Sequence, residues 1–322
     1  MKKITAALLF GALIGGAPHA WADYPDKTAK IIVPYSPGGA VDFVGRLVAK
    51  SLGEELDGNF IVENRDGASG NIGTQAAVLS RPDGHTLLMS ALTSTAINTA
   101  LRPDDVEFDL EEDLKPVAWI GEVPLVLIAN QDVPVDDVDS LIDYAKDSSK
   151  PLAYSSSGVG STEHLGAILF TQITDVDTLH VPFTGGAPAI TAVVSGEVPI
   201  EVATIPTALP QIQEGNVKPL AVAMPDRLDV LPDTPTAEEA GVPDFQVSSS
   251  YVLLAPAAIE DDVRDALQKA LSNIVKSEDF SKQLSDRGVI PSPEPVTDLG
   301  ERYTAEIDKW HTLVKEANIE VK

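Results

Sequence analysis

Apolar and polar positions follow two rhythms along this chain, and together they describe repeated strand–turn–helix units. Residues 31–35 (Ile31, Ile32, Val33, Pro34, Tyr35) are mostly β-branched or aromatic and predict a buried strand. Ser36-Pro37-Gly38-Gly39-Ala40 turns the chain, and apolar residues at helical spacing from Val41 to Val48 predict a helix. The order recurs as a strand over 60–64, a turn over 65–71, a helix over 72–79 and a strand over 86–90. Such alternation implies a parallel sheet covered on both faces. Residues 104–113 read as an acidic, irregular connector.

The apolar stretch 116–129 is interrupted by Gly121 and Pro124, which predicts two strands with a break near a domain crossing. A helix over 138–146 follows. The second series has a strand over 152–154, a turn over 155–162 and a helix over 163–170. Next come a strand over 178–183, the turn Thr184-Gly185-Gly186, a helix over 187–195, a strand over 200–205, a helix over 206–214 and a strand over 218–223. A turn and short capped helix over 232–241, a strand over 250–255 and helices over 261–275 and 296–317 complete the pattern. The expected fold is α/β with two lobes, 23–124 plus 248–322 and 125–247, and a ligand cleft between them.

Two of the turns carry candidate chemistry. Gly38 and Gly39 sit where a helix begins, so a ligand could lie against backbone with no Cβ in the way. Free N–H groups and the positive helix end favour an anion there. A plain tight turn explains the same residues on sequence alone. Ser161 reads as an N-cap, with Glu163 in the first turn of its helix. Asp42 is expected to hold loop N–H groups, and Arg46 to pair with a carboxylate such as Glu63 or Asp42 in preference to clamping a ligand; Arg65 is open to the same two roles.

Composition narrows the setting. Lys2 and Lys3, the apolar run 6–17 and Ala20-Trp21-Ala22 form an export signal over 1–22, so the mature chain should start near Asp23 in a periplasm. With no cysteine, disulfides, thiolate metal sites and a lipidated N-terminal cysteine are excluded. A formal net charge of −26 disfavours nucleic acid as a partner. The acidic surface suits a saline habitat or an ordinary acidic periplasmic protein equally.

No nucleotide loop matches: Gly67-x-x-Gly70-x-x-Gly73 lacks the dinucleotide spacing, and Gly158-Val159-Gly160 is followed by Glu163 where a third glycine belongs. His85, His164, His180 and His311 lack ligand spacing, so no metal or other cofactor is expected. Ser161 with His164 is the one local pair that a hydrolase could use, and a helix cap explains it more simply. The chain is therefore expected not to be an enzyme.

Ile32-Val33-Pro34-Tyr35-Ser36-Pro37-Gly38-Gly39-Ala40-Val41-Asp42, Val62-Glu63-Asn64-Arg65, Pro82-Asp83-Gly84-His85, Tyr154-Ser155-Ser156-Ser157-Gly158-Val159-Gly160-Ser161 and Val181-Pro182-Phe183-Thr184-Gly185-Gly186 fall in an order and spacing that resembles the substrate-binding proteins of tripartite tricarboxylate transporters, the Bug family. The resemblance implies a hinged, two-lobed periplasmic binding protein that closes on a small carboxylate and delivers it to membrane transporter subunits. A sensing role beside a membrane receptor is the alternative, and a monomer is expected. By the same resemblance, Tyr35, Ser36, Gly38, Gly39 and Ala40 face Ser157, Gly158, Gly160, Ser161 and Thr162 across a carboxylate, bound partly through water. Thr184, Gly185, Ala203 and Thr204 shape the far end. Of these, backbone N–H groups of Gly38, Gly39 and Gly160 and the hydroxyls of Ser36, Ser161 and Thr184 are the expected donors. One departure is Pro199, where the family often carries an aspartate; Glu201 is the candidate to replace it.

Overall fold

The computed structural model describes residues 24–292 and 298–316; the export signal, the mature start near Asp23 and the expected helix start at Val296 lie outside them. The first unit runs β1 (Ala29–Val33), α1 (Ala40–Glu55), β2 (Phe60–Asn64), α2 (Asn71–Val78) and β3 (Thr86–Ala91). β1 pairs in parallel with β2 on one side and β3 on the other. Val33 packs so closely on α1 that a Cβ on Gly45 would lie 2.8 Å from its Cγ2.

β3 passes directly into α3 (Leu92–Leu101), a helix absent from the sequence reading. The expected irregular connector contains a helical turn, α4 (Leu110–Asp113), capped by the Asp109 carboxylate. β4 (Leu114–Asn130) then corrects the expectation of two strands: it is continuous over 17 residues. Its first part pairs antiparallel with β9 (Ser248–Pro256) up to Pro124, and from Leu125 it pairs with strands of the second lobe. Gly121 is no break. A Cβ there would lie 2.4 Å from the Ile290 carbonyl oxygen, so the glycine lets the short β10 (Ile290–Pro291) approach.

The second lobe holds α5 (Val138–Asp147), β5 (Leu152–Ser156), α6 (Thr162–Thr174), β6 (Thr178–Pro182), α7 (Gly186–Val194), β7 (Ile200–Thr204), α8 (Ile205–Gln213) and β8 (Val217–Val222). β5 lies parallel between β6 and β7, while β7 and β8 run antiparallel to β4. The expected short helix near 236–241 is a turn. Thr236 and Glu239 still exchange the two hydrogen bonds of a capping box, at 2.9 and 3.2 Å. β9 returns to the first lobe, followed by α9 (Asp261–Lys276), α10 (Glu278–Ser285), β10 and α11 (Leu299–Glu316).

The strand path β2-β1-β3-β9-β4-β7-β5-β6 is thus one curled sheet serving both lobes. Each half is buried on both faces. Ile31, Val33 and Leu253 pack beneath α1 and α9, with Ile32, Leu88 and Trp119 beneath α11 opposite. Leu127 and Phe170 fill one side of the second half and Val126, Ile128 and Ile205 the other. The lobes are joined through β4 and β9, and the loops at the strand ends meet between them.

Candidate functional site

A narrow cleft lies between the lobes, and five helices begin at it. α1 contributes Gly39, Ala40 and Val41; α3 contributes Ala91 and Ser94; α6 contributes Glu163; α7 contributes Gly186; α8 contributes Thr204 and Thr207. At α1, α3, α7 and α8 the N-cap residues Gly39, Ala91, Gly185 and Thr204 offer no side-chain bond to the first-turn N–H groups. Helix starts of this kind leave backbone donors and a partial positive charge directed outward. Among the described residues no lysine, arginine or histidine lines the cleft.

In the first loop, Gly38 has φ of +87°, a conformation that only glycine adopts readily. Its N–H donates to the Asp42 carboxylate at 3.0 Å. Asn64 and the Arg46 guanidinium also donate to Asp42, each at 2.9 Å. Burial pushes the Asp42 carboxyl upward, but the bonds from Arg46, Gly38 and Asn64 and the Arg46 charge outweigh this and leave it below its usual range. Asp42 therefore holds the loop, and of the two expected partners of Arg46 it is the one present. Arg65 pairs with Glu63. Gly39 instead faces α7: a Cβ there would stand 3.7 Å from the Gly186 nitrogen.

Tyr35 lines the cleft, and burial with the nearby Glu163 charge raises its hydroxyl pKa well above normal. Ser36 lies outside the cleft, where its hydroxyl meets Asp66, the Thr184 carbonyl and the Thr184 hydroxyl, each at 3.0 Å. Gly185 packs against Ser36 so closely that a Cβ would come within 3.0 Å of its nitrogen.

The second loop is more fully bonded within the protein. Ser161 caps α6 by accepting the His164 N–H at 3.1 Å. The Gly160 N–H donates to His164 Nδ1 at 3.2 Å, and the Gly158 N–H to the Ser156 hydroxyl at 3.1 Å. Ser156 in turn meets His180 Nε2 at 2.7 Å, and the rings of Tyr154, His180 and His164 stack at centroid distances of 5.0 and 4.0 Å. Burial, the neighbouring His180 and the Arg102 charge take His164 down to about 3; burial takes His180 to about 4. Both rings are neutral braces for the loop. Ser157 reaches the cleft, and its hydroxyl donates to Glu163 at 2.8 Å.

The two lobes touch across the cleft. The Ala40 N–H donates to the Thr207 hydroxyl at 3.1 Å, and the Thr162 N–H to the Ser94 hydroxyl at 3.0 Å. The Thr162 hydroxyl then bonds Ser94 at 2.8 Å and Ser249 at 3.2 Å. At the far end Thr204 lines the cleft, whereas Ala203 is fully buried behind it. Glu201 is buried beside β5, accepting the Ser155 hydroxyl at 3.3 Å, and does not reach the cleft lining.

Among the expected site residues, Tyr35, Gly39, Ala40, Ser157 and Thr204 line the cleft. The expected donors Gly38 and Gly160 are instead spent on Asp42 and His164, Gly158, Ser161 and Thr162 are likewise bonded within the protein, and Ser36, Thr184 and Gly185 meet one another outside the lining. Ser94, Thr207, Ser249 and Tyr251 line it without having been expected. Glu163 also lines it, a position that its place in the first turn of α6 does not by itself reveal.

Comparison with known proteins places this architecture. Residues 44–319 match the family described as tripartite tricarboxylate transporter family receptor. The chain belongs to this family. It is 31% identical to Protein BugT of Bordetella pertussis over 100% of this chain and 99% of that one. MatC from Rhodopseudomonas palustris, solved with bound malate, superposes with a TM-score of 0.84 at 31% identity, covering 90% of this chain and 100% of that one. An R. palustris protein solved with adipate gives 0.86 at 30%, covering 92% and 99%. This receptor is therefore a solute-binding protein of the Bug type with a two-lobed periplasmic-binding-protein fold, not an enzyme. Among its described residues no helix is long and apolar enough to cross a membrane.

Proposed function

We propose that this receptor, exported by its segment 1–22, captures a small organic carboxylate between lobes 23–124 plus 248–322 and 125–247. It then delivers the acid to the membrane subunits of a tripartite tricarboxylate-type transporter. The observation that carries this reading is the meeting of four helix starts whose N-cap residues make no side-chain cap, those of α1, α3, α7 and α8, at one cleft lined, among the described residues, by no basic side chain. Backbone dipoles bind an anion in such a setting without a counter-charged residue. Tyr35, Gly39, Ala40 and Ser157 serve as the proximal wall and Thr204 as the distal one, while Gly38, Gly158, Gly160, Ser161 and Thr162 hold that wall in place. Ser36, Thr184, Gly185 and Ala203 form the rim and backing. The malate and adipate held by the two R. palustris relatives support the acid class.

Isothermal titration of the mature protein with mono-, di- and tricarboxylates tests this. One acid class should bind stoichiometrically and raise the melting temperature by mass action. Failure of every acid to bind would refute the reading. Delivery is tested separately, by uptake of the bound acid into cells with and without the membrane subunits.

A further inference from the structure

The cleft contains one ionisable carboxyl that the capture of an anion does not employ. Glu163, in the first turn of α6, is 6% exposed and faces the cleft. The donors around it favour its carboxylate form: Ser157 at 2.8 Å, its own backbone N–H and the Ser161 hydroxyl. Burial nevertheless holds its pKa above the ordinary range. No counter-charge stands beside it to offset that burial. The titratable groups that face it are the acid Glu201 on β7 and the phenols Tyr35 and Tyr251. His164, the next residue, is neutral and directed at Gly160. Behind the cleft, Glu201 is 1% exposed and one of its carboxyl oxygens has no hydrogen-bond partner.

The cleft thus has two poles. Uncapped helix starts at α1, α3, α7 and α8 attract a negative group, while Glu163 presents an acceptor that is short of a positive one. A ligand with carboxylates at both ends would bring a second anion toward Glu163. A ligand with a carboxylate and an ammonium group satisfies both poles. We propose that the cleft selects a small carboxylic acid that also bears a protonated amine, with Glu163 receiving the ammonium group. This rests on the carboxylate reading and narrows it to amino-acid-like ligands. Binding then drives Glu163 to its ionised form and releases its proton to solvent, so affinity should rise with pH until the free protein is itself ionised there.

The test is titration calorimetry of the mature protein from pH 5 to pH 8 with matched pairs: succinate against aspartate, glutarate against glutamate, adipate against 2-aminoadipate. The amino member of one pair should bind at least about tenfold tighter than its partner, as expected of a buried charge pair. Its binding should strengthen with pH and release a proton, seen as a heat that depends on the buffer. Glu163→Gln should remove both the preference and the pH slope. Should that variant not fold, the pH slope and proton release of the parent protein decide alone. Preference for the acids without an amine, or affinity that falls as pH rises, would overturn the inference and leave carboxylate capture standing. Binding of neither series would overturn both.

Discussion

The amide of Ala40 and the hydroxyl of Thr207 meet at 3.1 Å from opposite lobes, joining the first turn of α1 to the first turn of α8. The bond forms only when the lobes are together, so it contributes to closure and not to the folding of either lobe. Thr207→Val keeps the volume and removes the acceptor, both for Ala40 and for the Thr204 hydroxyl 2.9 Å away in its own lobe. The expected outcome is about fivefold weaker binding, from a hydrogen bond worth roughly 1 kcal/mol. Titration calorimetry checks the affinity, and a thermal melt of the ligand-free protein measures separately the stability lost with the Thr204 bond inside the lobe.

Gly39 occupies extended backbone at the start of α1, with φ of −81°, so a larger residue fits its conformation. What it would disturb is the space before α7, since a Cβ stands 3.7 Å from the Gly186 nitrogen and the extra methyls of valine reach further. Gly39→Val should cost about 1 kcal/mol of stability as a poorer cap. Its effect on carboxylate affinity should be larger, at least about tenfold, because hydrogen bonds to a charged ligand are worth roughly 1.5–3 kcal/mol each. A calorimetric titration beside a thermal melt distinguishes the two losses. Unchanged affinity would remove Gly39 from the site.

The contrast between these two residues shows what the sequence can disclose. Gly39 stands in a local strand–turn–helix pattern, and such patterns are visible in the order of residues. Thr207 sits inside a helix that reads as ordinary, and only the curled sheet brings it to the cleft. α3 was hidden for a related reason. Its Thr93, Ser94, Thr95 and Asn98 are buried, so the polar positions that normally mark a solvent face point inward to bonds with the other lobe and with the C-terminal helix. No Gly, Pro or Asn separates it from β3. In the same way, Gly121 and Pro124 carry the signature of a strand break, but one admits β10 and the other marks where β4 changes lobes. Ser161 and Asp42 were legible because a cap and a loop clamp act within a few residues of themselves.

Asp42 should govern how the first loop withstands acid. Its carboxyl lies below its usual range because bonds from Arg46, Gly38 and Asn64 outweigh the effect of burial. A depressed carboxylate contributes stability that is complete above its unfolded value near 3.9 and is lost as pH falls through the folded value. Asp42→Ala leaves the Gly38 N–H without its acceptor and removes one of the two that Asn64 has, which should cost on the order of 2 kcal/mol at pH 7. The loss should shrink as pH falls below about 4, where the parent also loses the charge. Denaturant melts of both proteins at pH 7 and pH 3 test this; an equal difference at the two values would contradict it.

The stacked pair His164 and His180 predicts a pH dependence with its own sign. Both are held neutral, at about 3 and about 4, whereas in the unfolded chain each titrates near 6.5. Between those values the unfolded chain binds more protons, so their contribution makes the fold lose stability as pH falls from about 6.5 toward 4. Raised carboxyls at Glu163 and Glu201 act in the opposite direction, so the histidine part must be isolated by difference. His180→Gln retains a partner for the Ser156 hydroxyl while removing one titrating ring and its repulsion of His164. Melting temperature measured every half unit from pH 4.5 to pH 7.5 should rise less steeply in the variant than in the parent. Parallel curves would mean that the rings are not held neutral, and that the Ser156–Gly160 loop is braced by its serines alone.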